Sequence, residues 1–145
     1  MPHCRHLVRC LPFAVSVAAA AVGCVDLAGG CGNQELTGLA SPDGRRRAVV
    51  FERDCGATTG FTTQVSVLAA GVALPDRGGN VFSSAFGRDS TRGPVKGGPG
   101  GGPWVHVRWL ATDTLEVRYD ARATAFTREP SVAGVAVLFV SDSTP

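Results

Sequence analysis

Cys55 lies in the densest polar stretch of the chain, RDCGATTGFTTQ at 53–64, among glycines and threonines. A cysteine in this setting can act as a nucleophile, bind a metal ion or form half of a disulfide. A nucleophilic cysteine needs a nearby base that holds its sulfur as the thiolate. His106 is the candidate base, but no local pattern brings it to Cys55. We therefore predict no catalytic residues, and keep a secreted thiol-dependent hydrolase using Cys55 and His106 as the alternative.

Metal and nucleotide chemistry find little support in the residue pattern. Zinc takes three or four ligands, and Cys31, Cys55 and His106 are too few without carboxylates. A phosphate-binding loop needs GxxxxGK[ST] entering a helix, whereas Lys96 is followed by Gly97 and then by a strand pattern. The sequence therefore predicts no metal, no nucleotide and no other cofactor.

The first 23 residues have the layout of a signal peptide. Arg5 and Arg9 supply positive charge, and an apolar run without a charge follows at 11–22. This run is shorter than the ~20 residues that span a bilayer, so a permanent transmembrane helix is not expected. We predict that the chain is exported.

The end of this segment, Ala21-Val22-Gly23-Cys24, resembles the lipobox of bacterial lipoproteins. In that family the cysteine is acylated and becomes the new N-terminus. The resemblance implies a lipid on Cys24, such as palmitate, and a membrane anchor in the bacterial cell envelope, on the periplasmic or cell-surface side. An ordinary secretory signal cut after Ala21, and lipidation at Cys31 instead, are the alternatives.

Removal of residues 1–23 also changes the charge. Arg5 and Arg9 leave, so Lys plus Arg falls from 14 to 12 and equals the 12 acidic residues, which gives a net charge of zero. A neutral domain lacks the electrostatic footprint of a nucleic-acid-binding protein. The basic triplet at 45–47 is interpreted as a solvated face.

The cysteine count favours a disulfide. Of five cysteines, Cys4 and Cys10 lie in the signal segment and Cys24 is assigned to the lipid. Cys31 and Cys55 remain as an even pair in an oxidising compartment. An unpaired structural thiol, catalysis and metal binding stay open at this point.

Composition and periodicity predict one all-β domain. The 145 residues are 44% hydrophobic and 18% charged, with 19 glycines and 9 prolines, which favours strands and turns. Strand patterns occupy 47–53, 62–68, 80–86, the two arms of a hairpin within 104–120, and 131–140. We expect five to six hairpin-linked strands in a small antiparallel sheet, as a sandwich or half-open barrel.

The remaining segments are assigned as turns, loops and a tether. Ser41-Pro42-Asp43-Gly44 is a turn in which Asp43 accepts local hydrogen bonds and Gly44 takes positive φ. Residues 24–40 are interpreted as a tether and N-terminal loop before a β domain at 41–141. Residues 87–103, rich in glycine and proline, are predicted to be a flexible loop that cannot pack a core.

Polar side chains of 53–64 are the candidate binding site. A threonine-rich loop held by a disulfide presents hydroxyls and amides at little entropic cost. The alternative is that these side chains cap turns and fill strand edges. The candidates are Arg53, Asp54, Thr58, Thr59, Thr62 and Gln64.

Two resemblances to known families add to these predictions. The segments CGN at 31–33, SPDGRRRAVVFERDCGATTGFTTQVSVL at 41–68, GNVF at 79–82 and WLATDTLEVRYD at 109–120 resemble a family of small bacterial exported proteins with a domain of unknown function. That resemblance implies the pairing of Cys31 with Cys55 and a compact β domain. The SPDG segment is also similar to the hairpin of TolB-type β-propeller blades, but a propeller needs several copies and the chain has one.

The function predicted from the sequence is an envelope lipoprotein that acts as a non-enzymatic binding or structural module. Its predicted contact with the membrane is the lipid anchor, and no nucleic acid partner is expected. The second alternative, beside the hydrolase, is an accessory subunit that docks through an exposed sheet edge.

Overall fold

A computed structural model describes residues 30–87 and 96–145, and in this part of the chain the structure is all-β without a helix. The predicted signal segment 1–23, the candidate lipidation site Cys24 and residues 88–95 of the predicted flexible loop lie outside the described residues. The described residues confirm the predicted all-β fold class, but they form nine strands, more than the five to six expected.

The described part of the chain forms nine strands. They are β1 (Gly32–Ala40), β2 (Arg46–Asp54), β3 (Thr62–Ala69), β4 (Phe82–Ala85), β5 (Val105–Ala111), β6 (Thr114–Asp120), β7 (Thr124–Arg128), β8 (Ser131–Val132) and β9 (Val135–Asp142). One sheet has the order β1-β2-β3-β4-β7 and the other has the order β5-β6-β9-β8. Of the two architectures expected from the sequence, the sandwich is the one formed.

The core lies between the two sheets. Side chains of β2, β3 and β4 face those of β5, β6 and β9, and Phe82 packs its ring against Tyr119 at 4.8 Å and Phe139 at 5.9 Å between centroids. The buried members of this cluster are Ala48, Val50, Val65, Val67, Val81, Phe82, Val105, Val107, Leu115, Val117, Tyr119, Val135 and Val137.

Strand β2 is buried on both faces, which explains its continuous apolar run at 48–51. Ala48 and Val50 point into the core, while Val49 and Phe51 pack with Leu68 on the outer face. Leu74 belongs to the segment after β3 and packs against this outer cluster. A strand covered on both faces loses the apolar–polar alternation of a half-exposed strand.

The predicted loop at 24–40 is wrong for its last nine residues, which form β1. Strand β1 pairs antiparallel with β2 from Gly32↔Asp54 to Ala40↔Arg47, with one register shift between Glu35 and Thr37. Because β1 is an edge strand with mostly exposed side chains, its sequence lacks an apolar pattern. Backbone hydrogen bonds to β2 hold β1 in place, and such bonds leave no pattern of residue types in the sequence.

The single strand predicted at 131–140 is two strands. A two-residue turn at Ala133-Gly134, with φ of 51° and 75°, separates β8 from β9. Strand β9 then runs parallel to β6 from Thr114↔Ala136 to Asp120↔Asp142, the one parallel pairing among the described strands. The chain reaches it by leaving the second sheet after β6, forming β7 in the first sheet, and returning.

The predicted SPDG turn is confirmed. The Asp43 carboxylate accepts hydrogen bonds from Ser41 Oγ at 2.6 Å and from the Arg45 amide at 3.1 Å, and Gly44 has a φ of 69°. The hydrogen bond from the Ser41 hydroxyl is the main cause that lowers the pKa of Asp43 below its usual value, and the hydrogen bond from the Arg45 amide is the second. The turn joins β1 to β2.

Replacement of Ala133 with asparagine is expected to stabilise the protein by about 1 kcal/mol. Ala133 is exposed and is the one non-glycine residue with positive φ in the described part of the chain. Positive φ disfavours alanine, while Asn-Gly is a preferred pair for turns of this geometry. Chemical denaturation of Ala133→Asn tests this, with Ala57→Asn in the exposed β2–β3 turn as control. An equal change in both variants would contradict the assignment of strain to Ala133.

Candidate functional site

A disulfide joins Cys31, just before β1, to Cys55, just after β2, and confirms the predicted pair. The Cα atoms are 3.9 Å apart, directly beyond the paired residues Gly32 and Asp54. The bond therefore closes the open end of the β1–β2 hairpin, opposite the SPDG turn. We refer to this part of the sandwich as the disulfide end.

His106 and Glu116 lie on the other sheet, on its outer face. His106 is exposed on β5, with its ring 5.5 Å from that of Trp104. Glu116 forms an ion pair with Arg108 at 3.1 Å across the β5–β6 hairpin. These residues, with Arg118, line a shallow pocket of about 230 Å³. The arrangement is the polar outer face expected of this hairpin.

Arg53, a candidate binding residue, instead bonds to Asn33 and Asp76 on the outer face of the first sheet. Its guanidinium donates to Asn33 Oδ1 at 2.7 Å and pairs with Asp76 at 3.2 Å. Asn33 in turn donates to the carbonyls of Pro75 and Arg77, both at 2.8 Å. These bonds hold the segment after β3 against the first sheet.

Most other candidate residues of the binding loop satisfy turns and strand ends. Asp54 accepts the Gly56 amide at 2.9 Å, and Thr59 Oγ1 donates to the Gly56 carbonyl at 3.0 Å. Gln64 donates to Thr62 Oγ1 at 2.7 Å. These contacts favour the turn-capping interpretation for them.

Thr58 sits exposed in the turn between β2 and β3. Gln64 also accepts the Gly79 amide at 2.7 Å, so its side chain bridges β3 to the segment before β4. The six candidates therefore do not converge on one point.

A pocket of about 340 Å³ opens at the disulfide end, and its size falls at the lower bound of small-molecule sites. Carboxylates, amides and one aromatic ring line it. We call this the disulfide-end pocket, lined by Gly32, Asn33, Gln34, Glu52, Asp54 and Phe61. Asp54 is the one predicted site residue among them.

Glu52, which sequence reasoning missed, is the most unusual residue of this pocket. Its side chain is 1% exposed, and its two carboxylate oxygens each accept a backbone hydrogen bond at 2.8 Å, from the Gly100 and Gly102 amides. No ion pair to Glu52 forms within the described residues. Period two places Glu52 on the same face of β2 as Ala48 and Val50, but the sequence does not indicate which segment covers it there.

The amides belong to residues 96–103, which we call the glycine strap. The described part of the predicted flexible loop is in fact packed, and the prediction is wrong there. Lys96 pairs with Pro103, and the Gly97 amide donates to the Gly102 carbonyl at 2.9 Å, so the strap is a tight turn. Thr63 Oγ1 donates to the Pro103 carbonyl at 2.6 Å and fixes the strap to β3.

The glycines are required by close approach. A Cβ on Gly98 would lie 2.6 Å from the Glu52 carboxyl carbon, and one on Gly100 would lie 2.0 Å from the Phe61 ring. A run of small residues that resembles a linker in sequence therefore allows backbone to lie against the sheet.

A second buried carboxylate, Asp120, has a different partner. Its side chain is 0% exposed and pairs with the Arg122 guanidinium through bonds of 2.8 and 3.0 Å. The hydrogen bond to Asp120 raises the pKa of Arg122. Asp120 is thus neutralised by a cation, whereas in the described part of the chain Glu52 is compensated by the Gly100 and Gly102 amides.

Comparisons with protein-family models, with curated proteins and with solved structures gave no match. The functional proposal therefore rests on the site itself.

The described residues contain neither a cluster of metal ligands nor a membrane-spanning helix. No three His, Cys, Asp or Glu side chains in residues 30–87 and 96–145 gather into a group that could hold a metal ion. In the same ranges no helix is long and apolar enough to cross a membrane.

Proposed function

We propose that this protein is an exported, non-enzymatic binding or structural module of the bacterial cell envelope, anchored by a lipid on Cys24. The observation that carries the proposal is the Cys31–Cys55 disulfide. Such bonds persist in oxidising compartments and are rare in the reducing cytosol. The signal pattern at 1–23 supports the same location independently.

Binding would take place at the disulfide-end pocket. Its walls come from β1, β2 and the residue before β3, and the disulfide holds the first two together. Walls fixed in this way lose little conformational entropy when a ligand binds. The resemblance to small bacterial exported proteins is consistent with this setting and adds no ligand.

The thiol-hydrolase alternative has less support. A disulfide sulfur is not a thiolate, so Cys55 could act as a nucleophile only after reduction. His106 lies on the opposite sheet from Cys55, in a face whose neighbouring acid, Glu116, is already ion-paired.

Docking through a sheet edge is the second candidate function. Strand β7 is an edge strand, and its Phe126 side chain is 66% exposed, which is unusual for a large aromatic residue. Exposed edges and apolar side chains are common features of strand-addition interfaces.

Cys24→Ala is expected to abolish labelling with radioactive palmitate and to release the protein from the membrane fraction. The change removes the thiol that the lipid would occupy. Labelling and fractionation are carried out on the full chain in its native bacterium. Cys4→Ala, in the predicted signal segment, is the matched control and should keep both label and location.

The same samples test export. Without reductant, a thiol-alkylating reagent should leave Cys31 and Cys55 unmodified. After reduction, the same reagent should modify both. Recovery of unprocessed protein in the cytosol, with both thiols reactive, would contradict the proposed location. Retention of palmitate in Cys24→Ala would contradict the anchor alone.

A further inference from the structure

The glycine strap holds the Glu52 carboxylate as a binding site holds an anionic ligand. Two backbone amides from one short turn point at the two oxygens of one carboxylate, with equal distances of 2.8 Å. Converging backbone amides of this kind form the anion-binding concavities known as nests. Here the anion is a side chain of the same chain.

The fit of the strap to a carboxylate is close on several sides. A Cβ on Gly98 would lie 2.6 Å from the Glu52 carboxyl carbon and 2.8 Å from Leu36 Cδ2, and one on Gly102 would lie 2.6 Å from Thr63 Oγ1, so these side chains would have to shift. The strap also keeps its own shape, since the Gly101 amide donates to the Gly98 carbonyl at 3.0 Å. A turn organised by its own bonds keeps its donors in position when the anion is removed.

We propose that the glycine strap is a carboxylate-binding site, filled by Glu52 as an internal latch, and that it accepts a small free carboxylate when the Glu52 side chain is removed. The proposal goes beyond the proposed function, because it does not depend on export or on a lipid. The chemical class of the ligand follows from the donor geometry, which matches two oxygens on one carbon atom.

The latch connects the strap to the disulfide-end pocket. Glu52 lines that pocket and binds the strap, and Phe61 lines it while packing against Gly100. The strap continues through Pro103 into β5. Glu52 therefore links the first sheet to the start of the second, and its release would alter the pocket wall.

Amide hydrogen exchange of the full chain, followed by NMR, tests the contact between Glu52 and the strap. In the wild type, the Gly100 and Gly102 amides should be protected. In Glu52→Gln one of the two amides should exchange about tenfold faster or more, because one acceptor oxygen is replaced by an NH₂ group that faces its N–H donor. Glu116→Gln, on the outer face of the other sheet, is the control and should leave both amides unchanged.

Chemical rescue tests the site itself. Sodium formate should restore protection of Gly100 and Gly102 in Glu52→Ala, and sodium chloride at the same ionic strength should not. Formate should have no effect on Glu52→Gln, because the Gln side chain still fills the space.

The following results would overturn the proposal. They are unprotected Gly100 and Gly102 amides in the wild type, full protection in Glu52→Gln, and a folded Glu52→Ala that responds equally to formate and chloride. If Glu52→Ala does not fold in chloride, folding in formate supports the site, and failure to fold in either salt overturns the proposal.

Discussion

Replacement of both Cys31 and Cys55 with serine is expected to lower the free energy of unfolding by about 3–4 kcal/mol. The bond joins residues 24 positions apart and so closes a loop that the unfolded chain would otherwise leave open. Small domains have a total stability of about 5–15 kcal/mol, so this loss is a large fraction of it. Both cysteines are replaced because a single change would leave a reactive thiol.

Urea denaturation of the double variant and of the wild type, each with and without reductant, measures this effect. The dependence of unfolding free energy on urea should also steepen, because the open chain exposes more surface. Reductant should destabilise the wild type and leave the double variant unchanged. A loss below about 1 kcal/mol would mean that the bond stabilises the native state far less than loop closure predicts.

Replacement of Gly97 with alanine is expected to cost about 2–3 kcal/mol, near the upper range for overpacking. The new Cβ would lie 2.2 Å from the Pro103 carbonyl oxygen and 3.1 Å from the Trp104 Cα, and these backbone atoms cannot rotate away. Relief of the clash requires the strap to separate from the start of β5. Thermal and urea denaturation measure the loss.

Gly60→Ala is the matched control for this experiment. A Cβ on Gly60 would have no atom within 4 Å, and Gly60 has no positive φ, so the change should stay within about 0.5 kcal/mol. If Gly97→Ala is as mild as Gly60→Ala, the strap is not packed in solution as the structure has it. The interpretation of 96–103 as a flexible loop would then be correct after all.

Side-chain pattern was sufficient to predict the strands that bury one face. The hairpin of β5 and β6 alternates between inward Val107 and outward Arg108, and the structure follows that alternation. Strand β3 was predicted from alternation too, whereas β2, which is buried on both faces, was predicted from its Val and Phe content. Strand β1 was missed because its place depends on backbone hydrogen bonds, for which its polar residues carry no signature.

The candidate site was predicted only in part, for a reason that Glu52 illustrates. A glutamate at the end of an apolar strand is normally taken as the point where the strand meets solvent. Here the strap covers it, and nothing local to β2 indicates that a segment 48 residues later supplies the amides. Contacts between distant segments are set by the tertiary fold, which periodicity in one strand cannot reveal.

The glycine strap shows a second limit of prediction from sequence. Glycine lowers packing and raises backbone freedom in an isolated chain, so composition alone predicts a linker. It is also the residue that permits backbone to approach another surface closely. The two uses are indistinguishable until the surface opposite the segment, here Glu52 and Phe61, is known.

The passage of the chain from β6 through β7 to β9 has a kinetic consequence. The second sheet cannot be completed before the chain has added β7 to the first sheet and returned, since β9, its partner for β6, comes after β7. Topologies dominated by distant pairings fold slowly, because chain closure must be accomplished before the contacts form. We therefore expect a late, cooperative folding step that waits until residues as far as Asp142 are available, which would leave the polypeptide open for a long interval after synthesis.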